Sequence, residues 1–184
     1  MTSIPIQLSK TALRDGKYDR QAFMSVPRNP VYIVLDSITC QHNVGCILRM
    51  ADAVLAQRVF LCGATPMLPS KKLRKGSRGA EKWVAWEYQA KVQDVLCSLK
   101  SDGVAIVALE LSDQSIAYTE ADYSMPVCFV LGAEGKGVSP EALAQSDLVV
   151  HLPMLGMMNS LNVSTAASVL LYHYLDNHKA QLHE

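Results

Sequence analysis

The sequence has no cysteines at C-x-x-C or zinc-ligand spacing, no apolar run long enough to span a bilayer, and no excess of charge of either sign. Each absence removes a class of protein. The five cysteines, Cys40, Cys46, Cys62, Cys97 and Cys128, are odd in number and scattered, which argues against a disulfide framework or a structural metal. Free, mostly buried thiols in a cytoplasmic protein are the plain reading, and no metal is expected. The longest apolar runs, such as Val127 to Leu131, are strand-length and far short of the ~20 residues a bilayer crossing needs, so no membrane partner is expected. The opening Met1-Thr2-Ser3-Ile4-Pro5 lacks a basic stretch followed by an apolar core and a cleavage site, which predicts no secretory signal.

Lys and Arg number 17 and Asp and Glu 17, for a formal net charge of zero, so the simplest argument for a nucleic-acid partner is missing. The distribution says more than the sum. Lys71, Lys72, Arg74, Lys75, Arg78 and Lys82 crowd one segment against Glu81 alone, whereas the stretch from Asp102 to Asp122 is acidic without compensation. The cationic segment, which reads as a loop containing Gly and Ser, can meet phosphates; a solvated mobile loop is the plainer alternative.

With 184 residues the chain fits one domain, and a domain of this size buries roughly 70% of its unfolded surface. After an irregular opening to Pro30, short β-branched runs alternate with helix-period segments, the pattern of an α/β fold with a mostly parallel sheet flanked by helices. The expected strands are Val31 to Leu35, Arg58 to Cys62, Val84 to Tyr88, Val104 to Leu109, Val127 to Leu131 and Leu148 to Leu152. The expected helices are Val44 to Ala56, with Asn43 as N-cap, then Val92 to Lys100, Pro140 to Gln145 and Val163 to Asp176. The last is apolar on most sides, as befits a helix buried against a sheet or another subunit.

Three segments stand out. In Asn43-Val44-Gly45-Cys46-Ile47-Leu48-Arg49, Arg49 lies off the apolar stripe and is expected to cover the space left by Gly45, pointing toward the strand end after Leu35. In Leu131-Gly132-Ala133-Glu134-Gly135-Lys136-Gly137, the glycines let a ligand approach the backbone. This is neither a dinucleotide fingerprint, which opens the first strand and helix, nor a P-loop, since Gly137 stands where Ser or Thr should follow Lys136. Glu134 would repel a phosphate, so a ligand with amine, adenine or cationic character fits better. The third segment, Pro153-Met154-Leu155-Gly156-Met157-Met158-Asn159-Ser160-Leu161-Asn162, is a loop that runs into the last helix. Its methionines read equally well as core filler and its Asn and Ser as helix caps.

In this order and spacing, together with Gly79-Ala80-Glu81-Lys82-Trp83, the motifs resemble the SpoU branch of the SPOUT RNA methyltransferases, from about Val31 to about Tyr174. The resemblance implies transfer of a methyl group from S-adenosylmethionine to a ribose 2′-hydroxyl of tRNA or rRNA, leaving S-adenosylhomocysteine. The wording of the motifs is nearest to the tRNA guanosine enzymes. It further implies a C-terminal deep trefoil knot and a homodimer in which the first-motif arginine faces the partner's cofactor. By this likeness Arg49, Asn43, Glu134, Ser160 and Asn162 are the candidate catalytic residues. Arg49 would stabilise charge rather than accept a proton, with Asn43, Ser160 and Asn162 orienting it and the ribose. Leu109, Gly132, Gly137, Leu152, Met154, Gly156 and Leu161 are the candidate cofactor-binding residues, largely through their backbone. Lys71, Lys72, Arg74, Lys75 and Arg78 are expected on RNA phosphates. Residues 1–30 are expected to pack as a segment on a methyltransferase domain of residues 31–184. Two rivals are a noncatalytic RNA- or cofactor-binding protein of the same fold and an unrelated nucleotide-binding α/β protein.

Overall fold

The structure, a computed structural model, describes residues 5–15 and 17–178; the chain's first four residues, residue 16 and residues 179–184 lie outside the described residues. In chain order the elements are α1 (Arg20–Met24), β1 (Asn29–Asp36), α2 (Gln41–Ala53), β2 (Ala56–Cys62), α3 (Lys71–Ser77), a 3₁₀ turn (Ala80–Lys82), β3 (Trp86–Gln89), α4 (Val92–Ser101), β4 (Ala105–Leu109), β5 (Ile116–Ala117), β6 (Val127–Gly132), α5 (Pro140–Leu143), β7 (Leu148–His151) and α6 (Val163–His178). The strands form one seven-stranded sheet in the order β3-β2-β1-β6-β4-β7-β5. Every pairing between these strands is parallel.

A parallel sheet is covered on both faces, which is why its central strands read as unbroken apolar runs. In β1, Ile33 and Leu35 enter the core shared with α2 and α6, whereas Val34 enters the core shared with α4. The helices present stripes of matching period: Val44, Ile47, Leu48 and Ala51 on α2, Val92, Val95, Leu96 and Leu99 on α4, Ala167, Leu170, Leu171 and Tyr174 on α6. Each fully buried aliphatic side chain contributes roughly 1.5–3 kcal/mol, so these stripes, rather than helix propensity, hold the layers together. Among the described residues no helix is long and apolar enough to cross a membrane.

Several expectations need correction. The basic segment is a helix: Ser70 caps α3 by accepting the Leu73 N–H at 3.2 Å, and Arg78 ends it in the left-handed region at φ 55°. Its buried side is made of Leu73, Gly76 and Ser77, too small and too polar to read as an apolar stripe. Helix α2 begins earlier than expected, with Cys40 at the N-cap; Asn43 lies within the first turn, buried, and its side chain serves other partners. The space beside Gly45 is not left for Arg49. A Cβ there would run into the Leu73 carbonyl oxygen and stand 2.8 Å from the Ser77 nitrogen, and one at Gly76 would stand 2.7 Å from the His42 carbonyl oxygen. Two glycines thus let α2 and α3 cross backbone to backbone, and Ser70 Oγ ties the helices again through a 2.6 Å bond to Gln41 Oε1. The five cysteines are free, yet only Cys62 and Cys128 are buried; Cys40 and Cys97 are exposed and Cys46 is half-buried. Burial pushes the Cys62 thiol up to about 12, so it stays protonated at neutral pH.

Before β1, Asp19 caps α1, the Phe23 ring meets Trp83 edge-on at 6.1 Å, and Arg28 donates to the Trp83 carbonyl at 3.0 Å.

Candidate active site

The register of the sheet lines up Leu35 of β1, Leu131 of β6, Leu109 of β4 and Val150 of β7 in one row across four adjacent strands. One residue further on, the chain leaves the sheet at Asp36, Gly132, Glu110 and His151. Ligands of open parallel sheets bind at this edge. Here a cavity of about 590 Å³ opens beyond β6, β4 and β7, walled by the segments after those strands and by the start of α6.

The wall after β6 is a tight turn. Ala133 and Gly137 exchange backbone hydrogen bonds of 3.0 and 2.8 Å. Gly137 has φ 69°, and a Cβ on Gly132 would overlap the backbone of Gly137 and Val138, so both positions require glycine. Gly135, at the tip, faces open space. The segment beyond the turn is gripped from both neighbouring strands: Glu110 Oε2, past β4, accepts the Val138 N–H at 2.8 Å, and Asp36 Oδ2, at the end of β1, accepts the Ser139 N–H at 2.8 Å.

A line of side chains then joins the three motifs. Asn162 caps α6, its Oδ1 accepting from Ser164 N at 2.9 Å and Ser164 Oγ at 2.7 Å, and its amide donates to Asn43 Oδ1 at 3.0 Å. Asn43 in turn donates to Glu134 Oε1 at 2.8 Å, and the Glu134 carboxylate accepts the backbone N–H groups of Thr39 and Cys40, both at 3.3 Å. The polarity of the line is fixed by its charged end, because a carboxylate only accepts. Burial raises the Glu134 pKa, but the bonds from Asn43 and the backbone outweigh it, and the group is held below the usual carboxylate range. Its charge also faces the amino-terminal end of α2, where the helix dipole favours an anion.

Of the expected residues, Leu109, Gly132, Gly137, Leu152, Met154, Leu161, Glu134, Ser160 and Asn162 all line the cavity. Gly156 does not; it lies exposed in the loop before Ser160. Asn43 stands behind the cavity wall and reaches it through Glu134 and Asn162. Ser160 is exposed and, among the described residues, makes no hydrogen bond. Arg49 is exposed, its side chain makes no hydrogen bond or ion pair among the described residues, and it is not on the cavity wall. It stands six residues, about 9 Å of helix axis, beyond Asn43. Lys71, Lys72, Arg74, Lys75 and Arg78 all project from the outer side of α3. Beneath them Glu81 is 9% exposed and accepts from Ser77 Oγ, with Arg74 at 4.0 Å. Its burial raises its pKa, and Ser77, the local backbone and Arg74 more than reverse the effect.

Sequence reasoning missed Glu110, Asp36 and His151. The available signal was position: each directly follows the apolar run of a strand, where a polar side chain meets the ligand edge.

The family model of the SpoU rRNA methylases matches residues 30–172. The tRNA (guanosine(18)-2′-O)-methyltransferase of Escherichia coli K12 is 34% identical over 157 residues, covering 85% of this chain and 68% of that one. Among solved structures, the Aquifex aeolicus TrmH/SpoU tRNA modifying enzyme superposes with a TM-score of 0.78 at 31% identity, over 86% of this chain and 80% of that one. An AdoMet-bound rRNA methyltransferase from Sinorhizobium meliloti does so with a TM-score of 0.76 at 26% identity, over 84% of this chain and 60% of that one. A strand-end cavity with a glycine turn, three motifs joined by one line of hydrogen bonds, and these matches lead to one conclusion: the chain belongs to the SpoU rRNA methylase family.

Proposed function

We infer that this chain transfers the methyl group of S-adenosylmethionine to a ribose 2′-hydroxyl of tRNA, at a guanosine, in the cytoplasm. The observation that carries the reading is the line Ser164–Asn162–Asn43–Glu134, which joins all three motifs at one cavity. The residues present fit the methyl donor. The cavity, about 590 Å³, falls within the roughly 300–1,000 Å³ typical of small-molecule sites. Gly132 and Gly137 let the turn after β6 pack tightly on itself and on Glu110, and Leu109, Gly132, Leu152, Met154 and Leu161 line the cavity, where their backbone would hold the adenosine. When bound, S-adenosylmethionine supplies a methyl already activated on a sulfonium, and no metal is needed.

The protein's own tasks are to place a ribose oxygen in line and to manage its proton. Glu134 is unsuited to take that proton: its oxygens already receive three N–H donors and its pKa is depressed, so its role is to anchor the turn and α2. Asn162 and Ser160, which line the cavity, would orient the ribose. Arg49 would hold the neighbouring phosphate bidentately and stabilise negative charge growing on the ribose oxygen, a role that suits a guanidinium better than accepting a proton.

One protomer leaves Arg49 off its own cavity. A homodimer in which Arg49 of the partner subunit reaches the cavity resolves this, and the almost fully exposed Leu155 and Met157 of the third-motif loop support such an interface. The outer side of α3 is the RNA surface in this reading, and the C-terminal segment carries the trefoil knot. A noncatalytic binder of the same fold is the second reading, favoured by the position of Arg49 alone.

The test incubates the protein with methyl-labelled S-adenosylmethionine and unmodified tRNA or rRNA, then identifies the labelled nucleoside. Label in 2′-O-methylguanosine from tRNA supports the reading; label from rRNA alone moves the substrate; no label despite tight cofactor binding supports the noncatalytic alternative.

A further inference from the structure

Glu110 belongs to none of the three motifs, yet it lines the cavity and touches two of its walls. It stands one residue past β4 and turns its side chain across the gap to β6. Oε1 accepts the Leu111 N–H at 3.0 Å, on its own wall, while Oε2 accepts the Val138 N–H at 2.8 Å, at the foot of the glycine turn. The carboxylate also occupies the place where a side chain at position 137 would be. A Cβ built on Gly137 would overlap Glu110 Oε2 and lie 2.8 Å from its Cδ. Charged acceptors make the stronger hydrogen bonds, so this one side chain sets the spacing between the wall after β4 and the wall after β6.

The other walls are tied differently. The third-motif loop is held to the turn through Asn162, Asn43 and Glu134, and Asp36 holds Ser139 from the β1 side. The wall after β4 has only Glu110 to join it to the glycine turn by a side-chain hydrogen bond among the described residues.

We propose that Glu110 is a positioning residue for the methyl donor: by clamping Leu111 and Val138 it fixes the width of the cleft that receives the adenosine, and Gly137 lacks a side chain so that the clamp can close. The proposal rests on the cavity being the S-adenosylmethionine site. Glu110 takes no part in proton handling, and removing it should raise KM and Kd for the methyl donor while leaving the rate at saturation nearly intact.

The experiment measures S-adenosylmethionine affinity by calorimetry, and KM and kcat with tRNA, for the wild type, Glu110→Ala, Glu110→Gln and Gly137→Ala, and for the double variant Glu110→Ala with Gly137→Ala. Glu110→Ala should weaken binding about tenfold, equivalent to about 1.4 kcal/mol, with kcat within about twofold and tRNA affinity unchanged. Glu110→Gln keeps one acceptor oxygen but turns an NH2 toward the second N–H, and should fall between the two. Because the carboxylate and a Cβ at position 137 compete for the same space, the two alanine substitutions should be less than additive in Kd. A folded Glu110→Ala protein with wild-type affinity overturns the proposal. So does a loss of affinity that merely follows a lowered melting temperature, or strict additivity with Gly137→Ala. Amide exchange at Leu111 and Val138 without cofactor reads the clamp by itself, and both should exchange faster in Glu110→Ala. If the wild type binds no S-adenosylmethionine, the reading of the cavity fails, and exchange unchanged by Glu110→Ala would still be the separate failure of the clamp.

Discussion

The cavity and the cationic helix differ in how they are built. Around the cavity Glu134, Asn43, Asn162, Glu110 and Asp36 are all engaged, so the walls set by the ends of β6, β4 and β7 are tied to one another. On α3 and at Arg49 the charges point outward. Among the described residues Lys71, Lys72, Lys75, Arg78 and Arg49 make no ion pair, and only Arg74 approaches a carboxylate, 4.0 Å from Glu81. A site for a small molecule of fixed shape is preorganised, because each loose group would cost affinity. A site for a polyanion keeps its cations solvated until phosphates arrive, since counterion release supplies much of the binding energy.

The sharpest break in that contrast comes from Arg49→Ala. Methyl transfer should fall by about 10²- to 10³-fold, as when a donor to developing charge is removed, while cofactor affinity and melting temperature stay at wild-type values. A variant with near-normal turnover would take Arg49 out of the chemistry and leave the two regions without a link.

Replacing Lys71, Lys72, Arg74 and Lys75 together with Ala should weaken RNA binding strongly at low salt. The slope of log K against log salt should drop by about 0.7 to 0.9 for each phosphate that the protein no longer neutralises, with calorimetric cofactor affinity unchanged. RNA binding that is unaffected would relocate the polyanion surface.

Gly45→Ala tests whether the regions are mechanically joined. Its Cβ would meet the Leu73 carbonyl, so α3 must shift away from α2, at a cost of about 1–3 kcal/mol read by urea unfolding. Both RNA affinity and turnover should fall together, whereas cofactor affinity should change least.

The smallest expected effect is acid sensitivity. Glu134 has its pKa lowered in the folded chain from an ordinary 4.5, so the stability it contributes is complete above that value and is lost as pH falls through the lower folded value. Glu134→Gln should flatten that acid limb in a melting-temperature series, and a limb identical to wild type would remove Glu134 as its source.

Much of this architecture is readable from residue order. The strands at the sheet centre are continuous apolar runs because both faces are covered, and α4 and α6 carry stripes of plain helical period. Helix α3 escapes because what lets it approach α2 is the absence of bulk: Gly76 and Ser77 read as breakers, and Leu73 alone is large and apolar. Strand β5 has two residues, below any pattern. Asn43 reads as a helix cap, the local role its type prefers, but its partners are Glu134 and Asn162, 91 and 119 residues away. Glu134 and Asn162 are legible through the motifs, whereas Glu110 and Asp36 are marked only by their place after an apolar run, since their partners are backbone N–H groups that no spacing reveals. The expectation that Arg49 covers an empty space beside Gly45 fails because that gap is already filled by a segment that reads as loop.

The position of β6 has a consequence for how the chain is made. It lies between β1 and β4, pairing Val31 with Val127 on one side and Ala105 with Val127 on the other. Synthesis produces β1, β2, β3 and β4 before β6, so until β6 emerges the nascent chain carries two apolar strand edges with nothing between them. The centre of the sheet closes only when the segment from Val127 to Gly132 has emerged, and the glycine turn follows it directly. Chains that stall or are cut before it should therefore aggregate rather than accumulate as a partial enzyme, and the cavity, whose walls include the segment after β7 and the start of α6, should form only after the centre of the sheet has closed.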